Sequence, residues 1–391
     1  MTVRAVLLLI ALPLTGATAT PERAAISPFV TPPAPPSAAA VPIALLADLS
    51  SGQVLYARAA NQRFLPASMT KAMTALIAFD LIAAGRLRED ALVTVKPATA
   101  QRWAGKGTTL NLRGGEQVAV RDLLQGITTV SANDAAVVLA ETARGSLSGW
   151  TAAMNSRATS LGMTGSHFAT PNGFPDHRQT YVTANDLVRL AAALIDEHPD
   201  LYRRYFGHPA MVWRGSMLRS HDPFAGVLAG ADGIKTGHSL EAGFNFLGSV
   251  NRGGRRLVVV IGRAATEPGR AAAARSLAEW GFTAWDARAF LQPSFVVGAA
   301  QVQGGTARSV PLGVPRSFTL TLPKGTAAQV NGRILYDGPL QAPLAVGQQV
   351  ARLELRVPGQ PDHTIPLVTI RAVTAAGSID RIVNGLLGLL V

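Results

Sequence analysis

The sequence predicts an α/β catalytic-size domain, an antiparallel sheet combined with a helical region, followed by a small all-β domain. Three observations carry that expectation. Two pairs of apolar β runs flank turns: 43–49 and 53–57 around Ser50-Ser51-Gly52, and 243–250 and 256–262 around Asn251-Arg252-Gly253-Gly254. Between these hairpins, apolar residues recur at helical spacing, most clearly Met69, Met73, Leu76, Ile77 and Leu81. Residues 295–375 then become rich in Val, Leu, Thr, Gly and Pro, with short runs at 317–322, 329–335, 350–357 and 364–373 bounded by turn residues.

Composition narrows the function. The chain has 391 residues, room for one large domain and a second. It contains no cysteine, so disulfides, thiolate nucleophiles and zinc–thiolate sites are excluded. A net charge of +12 suits acidic surroundings such as anionic lipid or polymer, and equally a composition biased toward Arg and Ala. The basic residues are scattered and not interleaved with aromatics, so no nucleic-acid partner is expected. The seven histidines show no metal-binding spacing, and neither a metal nor a cofactor is implied.

The two termini read as addresses. In residues 1–19, Arg4, an apolar run over 5–14 and Ala17-Thr18-Ala19 have the pattern of a secretory signal. Residues 20–42, with Pro28, Pro32, Pro33, Pro35 and Pro36, read as an extended Pro-rich linker. At the other end, Ile379, Ile382, Val383, Leu386, Leu387 and Leu390 give 378–391 an amphipathic helical pattern. Such a helix reaches about 21 Å, short of the roughly 30 Å hydrocarbon core, so it is expected to lie in a membrane surface or dock on its own domain. The protein is therefore expected to be exported and peripheral on the periplasmic face of the cytoplasmic membrane.

The catalytic signal starts at Pro66-Ala67-Ser68-Met69-Thr70-Lys71, which reads as the first turn of a helix. Ser68 and Lys71 are three apart and share a face. A serine hydroxyl needs a base, and a lysine held neutral supplies one. By itself the pattern equally fits a capping serine beside a solvated lysine. Yet the chain has only five lysines (Lys71, Lys96, Lys106, Lys235, Lys324) and writes most of its positive charge as arginine, which cannot act as a base. A short strand near 92–95, a Gly/Thr-rich loop at 105–115 and a helix over 120–126 follow. Ser131 and Asn133 come next, at the mouth of an Ala/Val helix that runs to about Arg144; there they offer a hydroxyl and an amide to one point, or a plain N-cap. Lys235-Thr236-Gly237-His238 falls on or beside a strand. A lysine and a threonine hydroxyl there can grip a carboxylate, and Gly237 admits a substrate backbone; the competing view is an edge strand with a gatekeeping lysine.

Each motif is weak alone, but S-x-x-K and K-T-G occur once each, with the S-x-N of Ser131 to Asn133 between them. With Ser131-Ala132-Asn133-Asp134-Ala135, Leu161-Gly162-Met163, Asp232 to His238, Ala242-Gly243-Phe244 and Trp280-Gly281-Phe282, the stretch from about Ile43 to Phe282 resembles the low-molecular-mass penicillin-binding proteins, specifically the serine-type D-alanyl-D-alanine carboxypeptidases. The resemblance implies a penicillin-binding/β-lactamase-like transpeptidase domain over 43–288, with a short helical tail to about residue 290, and a β-rich C-terminal domain over 289–377.

It also implies roles. Ser68 would attack the carbonyl between the two terminal D-alanines of a peptidoglycan stem peptide, and Lys71 would take its proton. Ser131 would relay a proton to the leaving amine while Asn133 holds the substrate amide and Lys71. Lys235 and Thr236 would bind the terminal carboxylate, helped by Arg270, and the backbone N–H groups of Ser68 and His238 would form an oxyanion hole. β-Lactam antibiotics would acylate Ser68. Two departures stand out: Ala132 replaces the usual glycine, and 214–221 replaces an asparagine-rich N-x-N-x-L-L stretch that lies near the substrate groove in relatives. A D,D-endopeptidase shares this machinery. A β-lactamase is disfavoured by Ala132 and by the lack of an E-x-x-L-N motif, and a non-enzymatic cell-wall-binding protein by the intact motifs.

Overall fold

A computed structural model describes residues 31–293, 295–326, 330–357 and 362–377. The expected signal over 1–19, the first part of the linker and the 378–391 helix lie outside the described residues. The chain divides into two units, one of them Pro33–Ala284 and the other beginning at Trp285.

The first unit opens with a helical turn, α1 (Pro36–Ala39), before the hairpin β1 (Ile43–Asp48) and β2 (Gln53–Arg58). A 3-10 turn, Ala67–Met69, runs straight into α2 (Thr70–Ala83). β3 (Leu92–Thr94), α3 (Pro97–Trp103) and β4 (Gln117–Ala119) lead to five helices: α4 (Val120–Thr129), α5 (Asn133–Arg144), α6 (Leu147–Ser160), α7 (Ala184–Asp196) and α8 (Pro199–Tyr205). The hairpin β5 (Ala210–Trp213) and β6 (Ser216–Arg219) precedes β7 (Ala231–Ser239), β8 (Gly243–Arg252), β9 (Arg255–Ala264) and α9 (Glu267–Thr283).

β2, β1, β9, β8 and β7 form, in that order, one antiparallel sheet, with β7 at its edge. The middle strands are buried on both faces, which is why 257–261 reads as a continuous apolar run instead of alternating. On one face Leu45, Ala47, Val258 and Val260 join the core of α2, α4, α5, α6 and α7. On the other, α9 comes so close that a Cβ on Gly281 would sit 2.6 Å from Leu257 and 2.8 Å from Leu46. α2 is the centre of the helical half: Met73, Leu76 and Phe79 are fully buried.

The second unit contains β10 (Trp285–Leu291), β11 (Gly298–Gln303), β12 (Ser309–Gly313), β13 (Phe318–Pro323), β14 (Asn331–Leu335), β15 (Leu340–Gln341), β16 (Gln349–Arg356) and β17 (His363–Thr369). Six of these form a sheet in the order β14-β16-β17-β12-β11-β15, and β10 pairs with β13. Val310, Leu312, Leu353 and Leu367 are among its core residues.

Three expectations are corrected. The linker is not extended throughout: prolines at the helix start set φ for α1, and Ala38 and Val41 are buried. No helical tail follows residue 283; Trp285–Leu291 is a strand, because its backbone is taken up by β13. The change of unit therefore falls at 284/285, not 288. The 214–221 stretch is mostly hairpin, its turn fastened to the 110–116 loop by Trp213 Nε1 on the Leu110 carbonyl and by Arg214 on Glu116. Of that stretch, only His221 lines the cavity described below.

Candidate active site

The segment that carries Ser68 is wedged between sheet and helices. Asn245, fully buried in β8, donates to the Leu65 carbonyl at 3.1 Å and accepts from the Arg263 N–H at 2.7 Å. Ala67 is forced to φ 48°, a left-handed conformation that costs roughly 1–2 kcal/mol for a residue with a side chain. Gly173 lies against it, since a Cβ there would be 1.9 Å from the Ala67 carbonyl oxygen. Ser68 is therefore presented by a strained turn that its neighbours hold in place, and it does not cap a helix.

Lys71 sits behind the serine with no exposed surface. Its Nζ lies 2.8 Å from Ser68 Oγ, 2.7 Å from Asn133 Oδ1 and 2.7 Å from the Asn172 carbonyl. Two of these partners can only accept, and the hydroxyl can donate. A neutral amine, with two N–H groups and one lone pair, satisfies that set completely. The Asn133 orientation is fixed by its Nδ2, which donates to the Lys106 carbonyl at 2.9 Å. Burial holds the Lys71 pKa well below its usual value, the Lys235 charge adds to the effect, and Asp134 opposes it. The solvated-lysine alternative is ruled out by this burial.

Ser131 occupies a left-handed turn at φ 67°, and Ala132, not a serine or asparagine, is the N-cap of α5. Asn133 is thus not a capping residue; its side chain is spent on Lys71 and the 106 carbonyl. Asp134 accepts the N–H groups of Leu110 and Leu112 at 2.9 and 3.1 Å, which ties the 105–115 loop over the helix mouth. Ser68, Ser131, Asn133, Thr236, Gly237 and His238 line one cavity of about 430 Å³ that Arg270 also borders.

Lys235 is no gatekeeper on a wet edge: it is 4% exposed, and its pKa is pushed down to about 7 by burial and by Arg270, with Asp222 opposing. Arg270, on α9, is 3% exposed and pairs with Glu267 at 2.9 Å. His238 is exposed and stacks on Phe244, ring centroids 3.9 Å apart. All nine sequence-predicted site residues thus converge on this place. Asn172 was not foreseen. Its Pro171-Asn172-Gly173 setting signals only a turn, and its contribution is a backbone carbonyl, which leaves no trace in residue type.

A larger surface cleft of about 740 Å³, bordered by Arg88, Glu89 and Arg204, holds no such chemistry. Its Glu89 is already bound by Arg204 and Tyr205. Asp80, Glu197 and His198, at the far end of α2, bring ligand-type atoms within 4.8 Å of one another, but Arg157 bridges the two carboxylates.

Residues 30–266 match the family described as D-alanyl-D-alanine carboxypeptidase. The chain belongs to that family. Residues 285–375 match the C-terminal domain of penicillin-binding protein 5. Among curated D-alanyl-D-alanine carboxypeptidases, the chain is 33% identical to DacD of Salmonella typhimurium over 349 residues, 86% of this chain and 87% of that one. It is 31% identical to DacA of Escherichia coli K12 over 353 residues, 87% and 85% of the two chains. The structure of penicillin-binding protein 5 from Haemophilus influenzae superposes with a TM-score of 0.79 at 29% identity, covering 88% of this chain and 99% of that one. The ampicillin-bound penicillin-binding protein D2 from Listeria monocytogenes gives 0.55 at 29% identity, covering 62% and 98%. The carboxypeptidase family thus shares with this chain a penicillin-binding transpeptidase fold followed by an all-β domain.

Proposed function

We propose that this carboxypeptidase-family chain removes the terminal D-alanine from peptidoglycan stem peptides through an acyl-enzyme on Ser68. The observation that carries the proposal is the contact of the buried Lys71 Nζ with Ser68 Oγ at 2.8 Å. Lys71 takes the hydroxyl proton as Ser68 Oγ bonds to the carbonyl carbon between the two D-alanines. The developing oxyanion is met by the backbone N–H groups of Ser68 and His238. As the C–N bond breaks, the proton taken by Lys71 reaches the leaving D-alanine amine through Ser131, which gives one proton and regains another. Water then adds to the ester, and Oγ recovers its proton.

Lys235, Thr236 and Arg270 hold the terminal carboxylate. The all-β domain matched over 285–375 favours carboxypeptidase over endopeptidase action. β-Lactams, which carry a carboxylate beside a strained amide, acylate the same serine. Incubation with a stem pentapeptide and with a cross-linked dimer tests the assignment: free D-alanine should appear from the pentapeptide alone, and cleavage of the dimer would point to an endopeptidase.

Export and attachment to the periplasmic face of the membrane are supported by the sequence patterns of 1–19 and 378–391. Among the described residues, no helix is long and apolar enough to cross a membrane. Deleting 378–391 should release the protein from membranes with activity intact.

A further inference from the structure

The two N–H groups that meet the oxyanion in the proposed reaction stand on different elements, Ser68 on the turn before α2 and His238 on β7. They lie far apart along the chain, so their spacing is not set by the covalent backbone between them. Donors aimed at a developing charge lose most of their effect when misplaced by about 1 Å. The close approach at Gly237 limits how near the turn and the strand can come. It does not limit how far they part.

Asn245 of β8 makes that link. Its backbone stands opposite Gly237, the residue before His238. Its side chain crosses to the nucleophile segment, where Nδ2 donates to the Leu65 carbonyl at 3.1 Å. A β-bulge aims it there. Phe244 pairs with Ala264 and Phe246 with Ile261, so Asn245 alone is set against Gly262 and Arg263. Arg263, at φ 60°, turns its N–H onto Asn245 Oδ1 at 2.7 Å. These partners are an N–H, which only donates, and a carbonyl, which only accepts. Together they fix the orientation of the amide, and they need a side chain that accepts with one atom and donates with the other. A carboxylate or a hydrocarbon of similar shape fails that demand. Asn245 is fully buried, so a lost bond leaves a buried backbone group unpaired.

We propose that Asn245 is a positioning residue for the carboxypeptidase reaction: its side-chain amide locks the Ser68 turn to the sheet beside β7 and thereby sets the spacing of the Ser68 and His238 N–H groups. This inference rests on the proposed function in taking those two groups as the oxyanion donors. The bond acts on the strained end of the turn. Ala67, at φ 48°, lies between Leu65 and Ser68, and its relaxation would swing the Ser68 N–H out of place. Ser68, Gly237, His238 and Phe244 border the catalytic cavity, and Asn245 is not among its lining residues. Its action is therefore on the backbone that carries the donors. Gly237 sets the lower limit of the gap between turn and strand, and Asn245 sets the upper one.

Single-turnover acylation by benzylpenicillin tests this, because it separates non-covalent affinity from the rate constant of bond formation and counts only enzyme able to react. Wild type, Asn245→Asp, Asn245→Leu and Leu257→Ala are compared from about pH 5.5 to 9. Leu257→Ala is the control for lost packing, since it thins the same sheet on its α9 side. It should lower Tm and leave the rate constant at the wild-type value. Asn245→Leu should be acylated about 100-fold more slowly at every pH with affinity unchanged. It should weaken by the same factor the binding of a peptide boronic acid, whose boron bonds to Ser68 Oγ and carries the charge of the tetrahedral state. Asn245→Asp should behave differently. A protonated carboxyl donates to the Leu65 carbonyl and an ionised one cannot, so its rate relative to wild type should fall by about 100-fold as pH rises. A wild-type rate constant in Asn245→Leu overturns the proposal, as does an Asn245→Asp ratio that does not change with pH. If Asn245→Leu fails to fold, the Asp series decides alone. A wild type that is acylated but releases no D-alanine from a stem pentapeptide overturns the proposed function instead, and the acylation ratios still decide the role of Asn245.

Discussion

Gly237 faces the Pro66 carbonyl so closely that a Cβ at 237 would lie 2.1 Å from that oxygen and 3.1 Å from the Met69 nitrogen. The obstacle is backbone, so it cannot rotate away. Gly237→Ala must therefore push β7 off the 66–69 segment and widen the space between Ser68 and the Lys235–Thr236 pair. Penicillin acylation should fall by about 100-fold or more, given how steeply reaction depends on placement. A normal rate in stopped-flow acylation would show that the two segments tolerate separation.

Removing the amine is a different test. Lys71→Met keeps an apolar chain in a fully buried position but deletes the base. D-Alanine release should drop by about 10³-fold, within the range for a positioned proton acceptor. Circular dichroism should report a folded protein, since a buried amine costs desolvation energy that methionine does not.

Asn133→Asp probes the charge state of that amine without changing shape. A carboxylate 2.7 Å from Lys71 Nζ would favour its protonated form. The acid limb of kcat/KM should then move up by about 1–3 pH units. An unshifted limb would mean that Lys71 is not the group titrating there.

The native pH profile has a second edge. Lys235 must be charged to hold a carboxylate, and its pKa in the folded protein is about 7. In kcat/KM, which reports the free enzyme, activity should therefore decline as pH rises through the neutral range. Bound substrate brings an opposite charge, so the same edge in kcat should lie at higher pH. Stability runs the other way. The folded pKa is below the 10.5 of an ordinary lysine, so between about 7 and 10.5 the unfolded chain binds more protons, and this group's contribution to stability rises with pH across that window. Melting temperatures of wild type and Lys235→Met across that window isolate the effect.

The core beneath the site is tested by Phe79→Ala. Phe79 is fully buried in α2 and packs on Tyr205, Phe206 and His198. Its truncation should cost about 3–5 kcal/mol in denaturant unfolding.

How much of this was legible in the sequence depended on the kind of interaction. The hairpins at 43–58 and 243–264 and the helix after Ser68 announce themselves through turn residues and apolar spacing, which are local. Ser68, Lys71, Asn133 and Lys235 were legible because their side chains carry the chemistry. The strand at 285–291 was not, because its partner, β13, lies far along the chain and nothing local distinguishes it from a continued helix. Asn172 acts through a carbonyl and Gly173 through the lack of a Cβ, and neither has a signature beyond that of a turn. The hairpin at 210–219 hid in a segment judged only by what it failed to match.

Ser68 and Lys71 belong to the helical half of the domain, whereas Lys235 and Thr236 belong to an edge strand of the sheet. The reactive centre is thus a seam between two layers. A slight parting along that seam, far too small to expose the core, would silence the protein. Gentle warming should therefore extinguish antibiotic labelling before any spectroscopic sign of melting, which makes labelling the more sensitive thermometer of this molecule's integrity.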